Sequence, residues 1–187
     1  MSELFLSLES LENGLPDIRK SPMDYGKLEL IVRRPEVDKR EELTSAELNE
    51  NEGLVGDNWK VKPSSSMPNG EPHPAKQITL MNSRAIATIA VEKERWKLAG
   101  DQLYVDMNLG YDNLPPGSHL SIGNVILQVS EPPHRGCKKF AERFGQDAMR
   151  FVNSDAGREL NLRGINAVVI QGGSIALGDT LRKVILS

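Results

Sequence analysis

The chain has 187 residues, 39% of them hydrophobic and 26% charged, with 23 Lys and Arg against 26 Asp and Glu for a net charge of −3. That composition suits a folded domain of ordinary size and excludes disordered, collagenous and coiled-coil classes. The overall charge gives nucleic-acid binding no support, and a lone cysteine excludes an intrachain disulfide framework or a multi-thiolate zinc site.

The opening stretch MSELFLSLESLENGLPDIRK begins on an acid and interrupts its apolar run at Glu9 and Glu12, so it does not read as a secretory signal. No apolar run reaches about 18 residues, so no bilayer-spanning helix is expected. With a single reduced thiol, the expected compartment is the cytoplasm. Residues 1–26 read as a strand-and-turn extension of one domain that spans 1–187. Residues 27–34, KLELIVRR, alternate as a strand with Leu28, Leu30 and Val32 on one face. Thr44 followed by Glu47 has capping-box spacing, which predicts a short helix ended by Gly53. Residues 60–76 contain Pro63, Pro68, Pro72 and Pro74, and so predict an irregular loop: a solvated connection or a flap over a site.

KQITLM predicts a buried strand, after which Asn82 or Ser83 caps a helix over 84–97 whose apolar face holds Ile86, Ile89 and Ala90 and which Gly100 ends. DQLYV is a candidate strand, DNLPPGSH a turn, and HLSI and VILQVS a hairpin through Gly123-Asn124. Phe140, Phe144, Ala148 and Phe151 form one helical core stripe, bent or broken at Gly145. GINAVVIQ and DTLRKVIL read as a final strand pair joined by the turn GGSIALG. Short strands, turn glycines and few helices predict a mainly β fold, an antiparallel barrel with helices outside.

Dinucleotide, phosphate-loop, zincin and nucleophile-elbow motifs are all absent from the sequence. His73, His119 and His134 are too scattered to read as a metal cluster. The segment Glu131-Pro132-Pro133-His134-Arg135-Gly136-Cys137-Lys138-Lys139-Phe140 stands out, because it brings the only cysteine to the start of the Phe-striped helix. Cations and a helix N-terminus favour the thiolate, which is the nucleophilic and metal-binding form. Residues 134–150 carry five Lys or Arg against two acids, a basic island suited to a phosphate-bearing partner. Arg135, Lys138, Lys139, Lys76, Arg84 and Arg163 are candidate anion contacts, each otherwise a solvated surface cation. Asp57 either holds a turn or touches a ligand, and His134 is a candidate for proton transfer. The competing reading of Cys137 is a buried thiol acting as a small hydrophobe.

From about residue 50 onward the motifs, taken in order, resemble the MOSC domain. This module forms the C-terminus of molybdenum-cofactor sulfurases and also occurs as free-standing bacterial proteins. The matching pieces are Gly56-Asp57, KQITLMNS, Gly100-Asp101-Gln102-Leu103, LPPGSHLSIGNVILQVSEPP leading to Gly136-Cys137, and LRGINAVVIQGGSIALGD. Asp101-Gln102 stands where the family commonly has Glu-Asn, and His134-Arg135-Gly136-Cys137 departs from its usual proline-cysteine context. The resemblance implies a β-barrel and a molybdenum cofactor (molybdopterin) as the candidate ligand. It implies two roles for Cys137: a persulfide-forming sulfur carrier, or a molybdenum ligand in a reductase of N-hydroxylated compounds. A non-catalytic module for a pterin-like anion is the third reading. No pyridoxal-phosphate site is evident in the chain, so the implied partner is a separate pyridoxal-phosphate-dependent cysteine desulfurase or a molybdoenzyme.

Overall fold

A computed structural model describes residues 5–187, so the first four residues of the expected N-terminal extension lie outside the described residues. The described part of that extension forms two short helices, α1 (Leu8–Glu12) and α2 (Leu15–Ile18), which bury Leu11 and Ile18, and its strand is confined to Tyr25 and Gly26, the start of β1. Ser7 caps α1 by accepting from the Ser10 amide, and Pro16 suits the first turn of α2.

β1 (Tyr25–Arg33) follows, and a bulge between Leu28 and Leu30 resets its alternation. Leu28 and Ile31 therefore face one core while Leu30 and Val32 face another. The expected single face for Leu28, Leu30 and Val32 fails because one inserted residue flips every side chain beyond it.

β2 (Glu41–Leu43) pairs only with β1. The helix expected from Thr44 is instead β3 (Ser45–Asn49), hairpinned to β4 (Gly53–Leu54). Ala46 and Leu48 point inward at a period of two and meet partners contributed from the far end of the chain, which overrides the local capping pattern. The proline-rich stretch holds only single 3-10 turns, the last being Pro74–Lys76.

β5 (Ile78–Asn82) is buried throughout, and Asn82 caps α3 (Ser83–Ala90) by accepting from the Arg84 and Ala85 amides. α3 ends earlier than expected, at Val91 with φ 63°, and the chain continues as a 3-10 helix, Lys93–Ala99. β6 (Leu103–Asp106) then lies parallel to β5, the one parallel pairing in the barrel, and the intervening helices supply the crossover such a pair requires. β7 (His119–Ile122) and β8 (Val125–Val129) form the expected hairpin. The Phe stripe divides at Gly145 into α4 (Lys138–Phe144) and α5 (Gln146–Asn153), followed by α6 (Asp155–Glu159).

β9 (Ile165–Gln171) and β11 (Thr180–Val184) do not pair with each other, contrary to expectation. β9 lies between β5 and β8, and β11 lies between β7 and β1. The expected turn between them contains β10 (Gly173–Ala176), which pairs with β3 in a separate small sheet. Seven strands close in the order β1-β6-β5-β9-β8-β7-β11. Closure leaves the barrel itself no open edge. Its interior is packed by Leu28, Leu80, Leu103, Leu120, Leu127 and Leu181, with Leu48, Leu54 and Ile175 of the small sheet joining them. A second core outside the barrel joins Met81, Tyr104 and Leu30 to Ile86, Phe140, Phe144 and Phe151 of the helices.

Candidate functional site

The site is organised by the end of the 3-10 helix. Gly100 terminates it in the left-handed region, φ 88° and ψ 11°, and a helix end leaves its last carbonyls without internal partners. Three successive carbonyls accept here from three different guanidiniums: Leu98 from Arg143 at 2.8 Å, Ala99 from Arg163 at 2.9 Å and Gly100 from Arg34 at 3.0 Å. Cations are favoured at this end of a helix, where the carbonyl dipoles converge. The left-handed φ is what calls for glycine at this position; Arg40 Nη2 and Arg143 Nη1 stand 3.5 and 3.6 Å from where a Cβ would lie, which is ordinary contact distance.

Buried carboxylates hold the arginines in place. The Asp57 side chain is fully buried and grips Arg34 in two-point fashion, Oδ1 to Nε at 2.9 Å and Oδ2 to Nη2 at 2.6 Å. It also accepts from the backbone amides of Arg34 and Trp59, which fixes the turn after Gly56. Asp101, also fully buried, takes Arg163 Nη1 on Oδ2 at 2.6 Å, while its Oδ1 lies 3.3 Å from His134 Nδ1. Gln102 ties the two halves together: its Oε1 accepts from the Thr79 amide and hydroxyl, and its Nε2 donates to Asp57 Oδ2 and the Gln77 carbonyl. Each position of Gly100-Asp101-Gln102-Leu103 thus has its own task, with Leu103 filling the barrel interior.

The cations outnumber these carboxylates. Arg40, Lys62 and Lys76 form no ion pair with a carboxylate among the described residues. Arg40 Nε and Arg163 Nε are buried without a hydrogen bond. Burial, then the charges of Arg143 and Arg34, lower the pKa of Arg40. Lys62 is exposed at the surface, yet partial desolvation of its ammonium, followed by the charges of Arg34, Lys139 and Arg40, lowers its pKa. Burial, followed by Arg163, Arg34, Lys76 and Lys62, pushes His134 well below 6.5 and leaves the ring neutral at pH 7. Mutually repelling cations with spare donors form a site that an anion would stabilise.

Residues 72–182, more than half of the chain, match the model of the MOSC domain. The chain belongs to the MOSC domain family. Solved structures with the same fold include the YuaD protein from Bacillus subtilis, 15% identical with a TM-score of 0.60, covering 87% of this chain and 97% of that one. YiiM from Escherichia coli is 19% identical with a TM-score of 0.55, covering 86% of this chain and 71% of that one. YiiM from Geobacillus stearothermophilus is 16% identical with a TM-score of 0.54, covering 88% and 75%. At these identities the likeness establishes the fold. No curated protein matches the chain by sequence. The family match begins after the Gly56-Asp57 turn, so that turn belongs to the site by geometry and lies outside the matched residues.

Within this MOSC barrel the expected residues separate into groups. Arg163, Lys76, His134 and Lys139 contribute their charge or ring to the cation cluster. Asp57 is occupied in bracing Arg34 and the turn. Arg84 lies apart, bound to Asp106 at 2.8 Å and near Asp17 at 3.6 Å, in a cleft of about 410 Å³ that Glu29 and Trp96 also line. The Lys138 side chain is 90% exposed and stands 3.9 Å from Glu142 on its own helix, and Arg135 is exposed.

Cys137 is exposed and caps α4, its carbonyl accepting from the Ala141 amide at 3.0 Å, so it does not pack as a buried small hydrophobe. The loop leading to it is pinned by Asn153, which bonds both the amide and the carbonyl of Gly136 at 3.0 and 3.1 Å. Arg34, Arg40, Lys62, Arg143 and Asp101 are the site residues that sequence reasoning missed. They come from a strand end, two loops, a helix end and a 3-10 terminus, and the one local signal was the family tetrad that contains Asp101.

Proposed function

We propose that this MOSC domain binds the molybdenum cofactor, with its phosphate on the cation cluster, and that Cys137 is the thiolate the protein presents to it. The observation that carries this reading is the excess of clustered cations over carboxylates, with buried orphaned donors on Arg40 and Arg163, in a MOSC domain. The donor set fits the group: Arg40, Lys62, Lys76 and Arg163 would hold the phosphate, Lys139 would add its charge, and the exposed thiol of Cys137 lies on the same stretch of chain as His134 and Lys139. Cys137, the single thiol of the chain, would be the protein's ligand to molybdenum. When bound, the cofactor supplies a redox-active molybdenum. Arg34, Asp57, Gln102 and Asp101 act earlier, by fixing the guanidiniums before any ligand arrives, which lowers the ordering cost of binding.

Cys137 then has two uses. As a molybdenum ligand it serves a reductase of N-hydroxylated compounds. As a persulfide carrier it takes sulfur from a separate pyridoxal-phosphate-dependent cysteine desulfurase for a molybdoenzyme. Either use needs a reducing compartment, and the cytoplasm is the one this reading proposes. No helix among the described residues is long and apolar enough to cross a membrane. The test is metal analysis and intact mass on protein purified from a host that makes the cofactor. Stoichiometric molybdenum with pterin supports the ligand role. An added mass of about 32 Da, one sulfur atom, that disappears in Cys137→Ser supports the carrier. Retained pterin unaffected by Cys137→Ser reduces the protein to a binding module, and protein with neither pterin nor added sulfur overturns the proposal.

A further inference from the structure

We infer that Asp101 is a positioning residue that holds His134 with its proton on Nδ1, leaving Nε2 as the proton-accepting atom of the site. The inference rests on the anion site proposed above and gives it a proton-handling group.

Asp101 is fully buried and its Oδ2 is committed to Arg163 Nη1 at 2.6 Å. Its Oδ1 and His134 Nδ1 are both buried without a hydrogen bond, and they face each other across 3.3 Å. Buried polar atoms are nearly always paired, so two orphans at that separation mark a bond that needs only a small adjustment to form. Hydrogen bonds of working sites are often long in the free protein and tighten when ligand arrives.

The direction of that bond follows from the atoms. Burial raises the Asp101 pKa, and the charge and hydrogen bond of Arg163 oppose that rise and favour the carboxylate. A carboxylate so held only accepts, so the hydrogen comes from Nδ1. A neutral imidazole has one ring hydrogen, which leaves Nε2 bare. The His134 side chain keeps 20% exposure although Nδ1 has none, and Nε2 makes no hydrogen bond among the described residues. Gly164, at φ 113°, allows this seating, because a Cβ there would stand 3.3 Å from Nδ1.

The charges facing the ring are Asp101 on one side and Arg163, Arg34, Lys76 and Lys62 around it. These cations oppose a resting imidazolium, so the ring waits unprotonated. A proton leaving a bound acid would pass to Nε2, and the imidazolium so formed would be stabilised through Nδ1–H by Asp101. The proton returns to solvent or product when the ligand leaves, so nothing is consumed.

The test is nitrogen-15 NMR of the histidine rings in the full chain at pH 7, without added ligand, with the His134 signals assigned by their loss in His134→Gln. The expected result is a neutral ring protonated at Nδ1, and Asp101→Asn should move the population toward Nε2–H. A wild-type ring protonated at Nε2, or an imidazolium at pH 7, overturns the inference, and so does an Asp101→Asn spectrum that keeps the wild-type tautomer. Should Asp101→Asn not fold, because it leaves Arg163 without its carboxylate, the wild-type spectrum alone decides. Titration of wild type and Lys62→Gln with inorganic phosphate reads the anion site independently of the tautomer, so the two readings fail separately.

Discussion

Asp57 and Arg34 show how far single residues of this site depend on one another. The Asp57 side chain is fully buried and that of Arg34 is 11% exposed, and two charge-assisted bonds join them. Removing one member of such a pair leaves a buried charge without compensation, which costs about 3 to 5 kcal/mol. Asp57→Ala should therefore lower unfolding stability in urea by about that amount, whereas the joint change Arg34→Met and Asp57→Leu should cost clearly less, because no charge stays stranded. Equal losses in both variants would show that Asp57 acts through the turn at Trp59 and not through Arg34. The sequence showed Asp57 as a turn residue or a ligand contact. It could not show Arg34, because the two lie 23 positions apart in the chain and meet only in the folded structure.

Among the elements, α3 shows a conflict between residue and backbone. The helix is well started by Asn82, but its C-cap Val91 sits at φ 63° and ψ −56°. A β-branched side chain is strained there, and tertiary packing at Trp96 and Tyr104, rather than local preference, holds the turn into the 3-10 helix. Val91 is 48% exposed, so little packing would be lost on removing its side chain. Val91→Gly should raise stability by about 1 kcal/mol, measured by chemical unfolding. No change, or a loss, would mean that the unfolded-chain entropy of glycine outweighs the relieved strain. The same 3-10 helix carries the carbonyls that arrange Arg143, Arg163 and Arg34, so its geometry sets the cation cluster.

At the scale of the whole molecule, the site joins segments that are distant in sequence: the end of β1, the proline-rich loop, the 3-10 terminus, the loop after β8 and the entry to β9. An anion bridging them binds the folded state alone and must stabilise it globally, by about 2.7 kcal/mol at a ligand concentration one hundred times Kd. Thermal unfolding with added pyrophosphate should show a rise in Tm that shrinks with added salt, as screening weakens the field. Arg40→Gln with Lys62→Gln should abolish most of the rise without lowering the Tm of the free protein, since both residues lack carboxylate partners and are repelled by neighbouring cations. A rise that survives both substitutions would place the anion elsewhere.

The sequence by itself determined the class and much of the layout. Alternating strands, turn glycines, the hairpin at Gly123-Asn124, the Asn82 cap and the Phe stripe broken at Gly145 are local consequences of side-chain period and backbone freedom. The ordered motifs were enough to point to the MOSC family. Only the tertiary structure decided the rest, because the physics there is not local. The bulge in β1 divides one apparent face between two cores. β10 draws β3 out of a helical pattern. Barrel closure sets β9 and β11 beside other strands instead of each other. The cation cluster came last of all: folding brings Arg34, Arg143 and Arg163 together from distant segments, and buried Asp57, buried Asp101 and three carbonyls at a helix end hold them against their mutual repulsion.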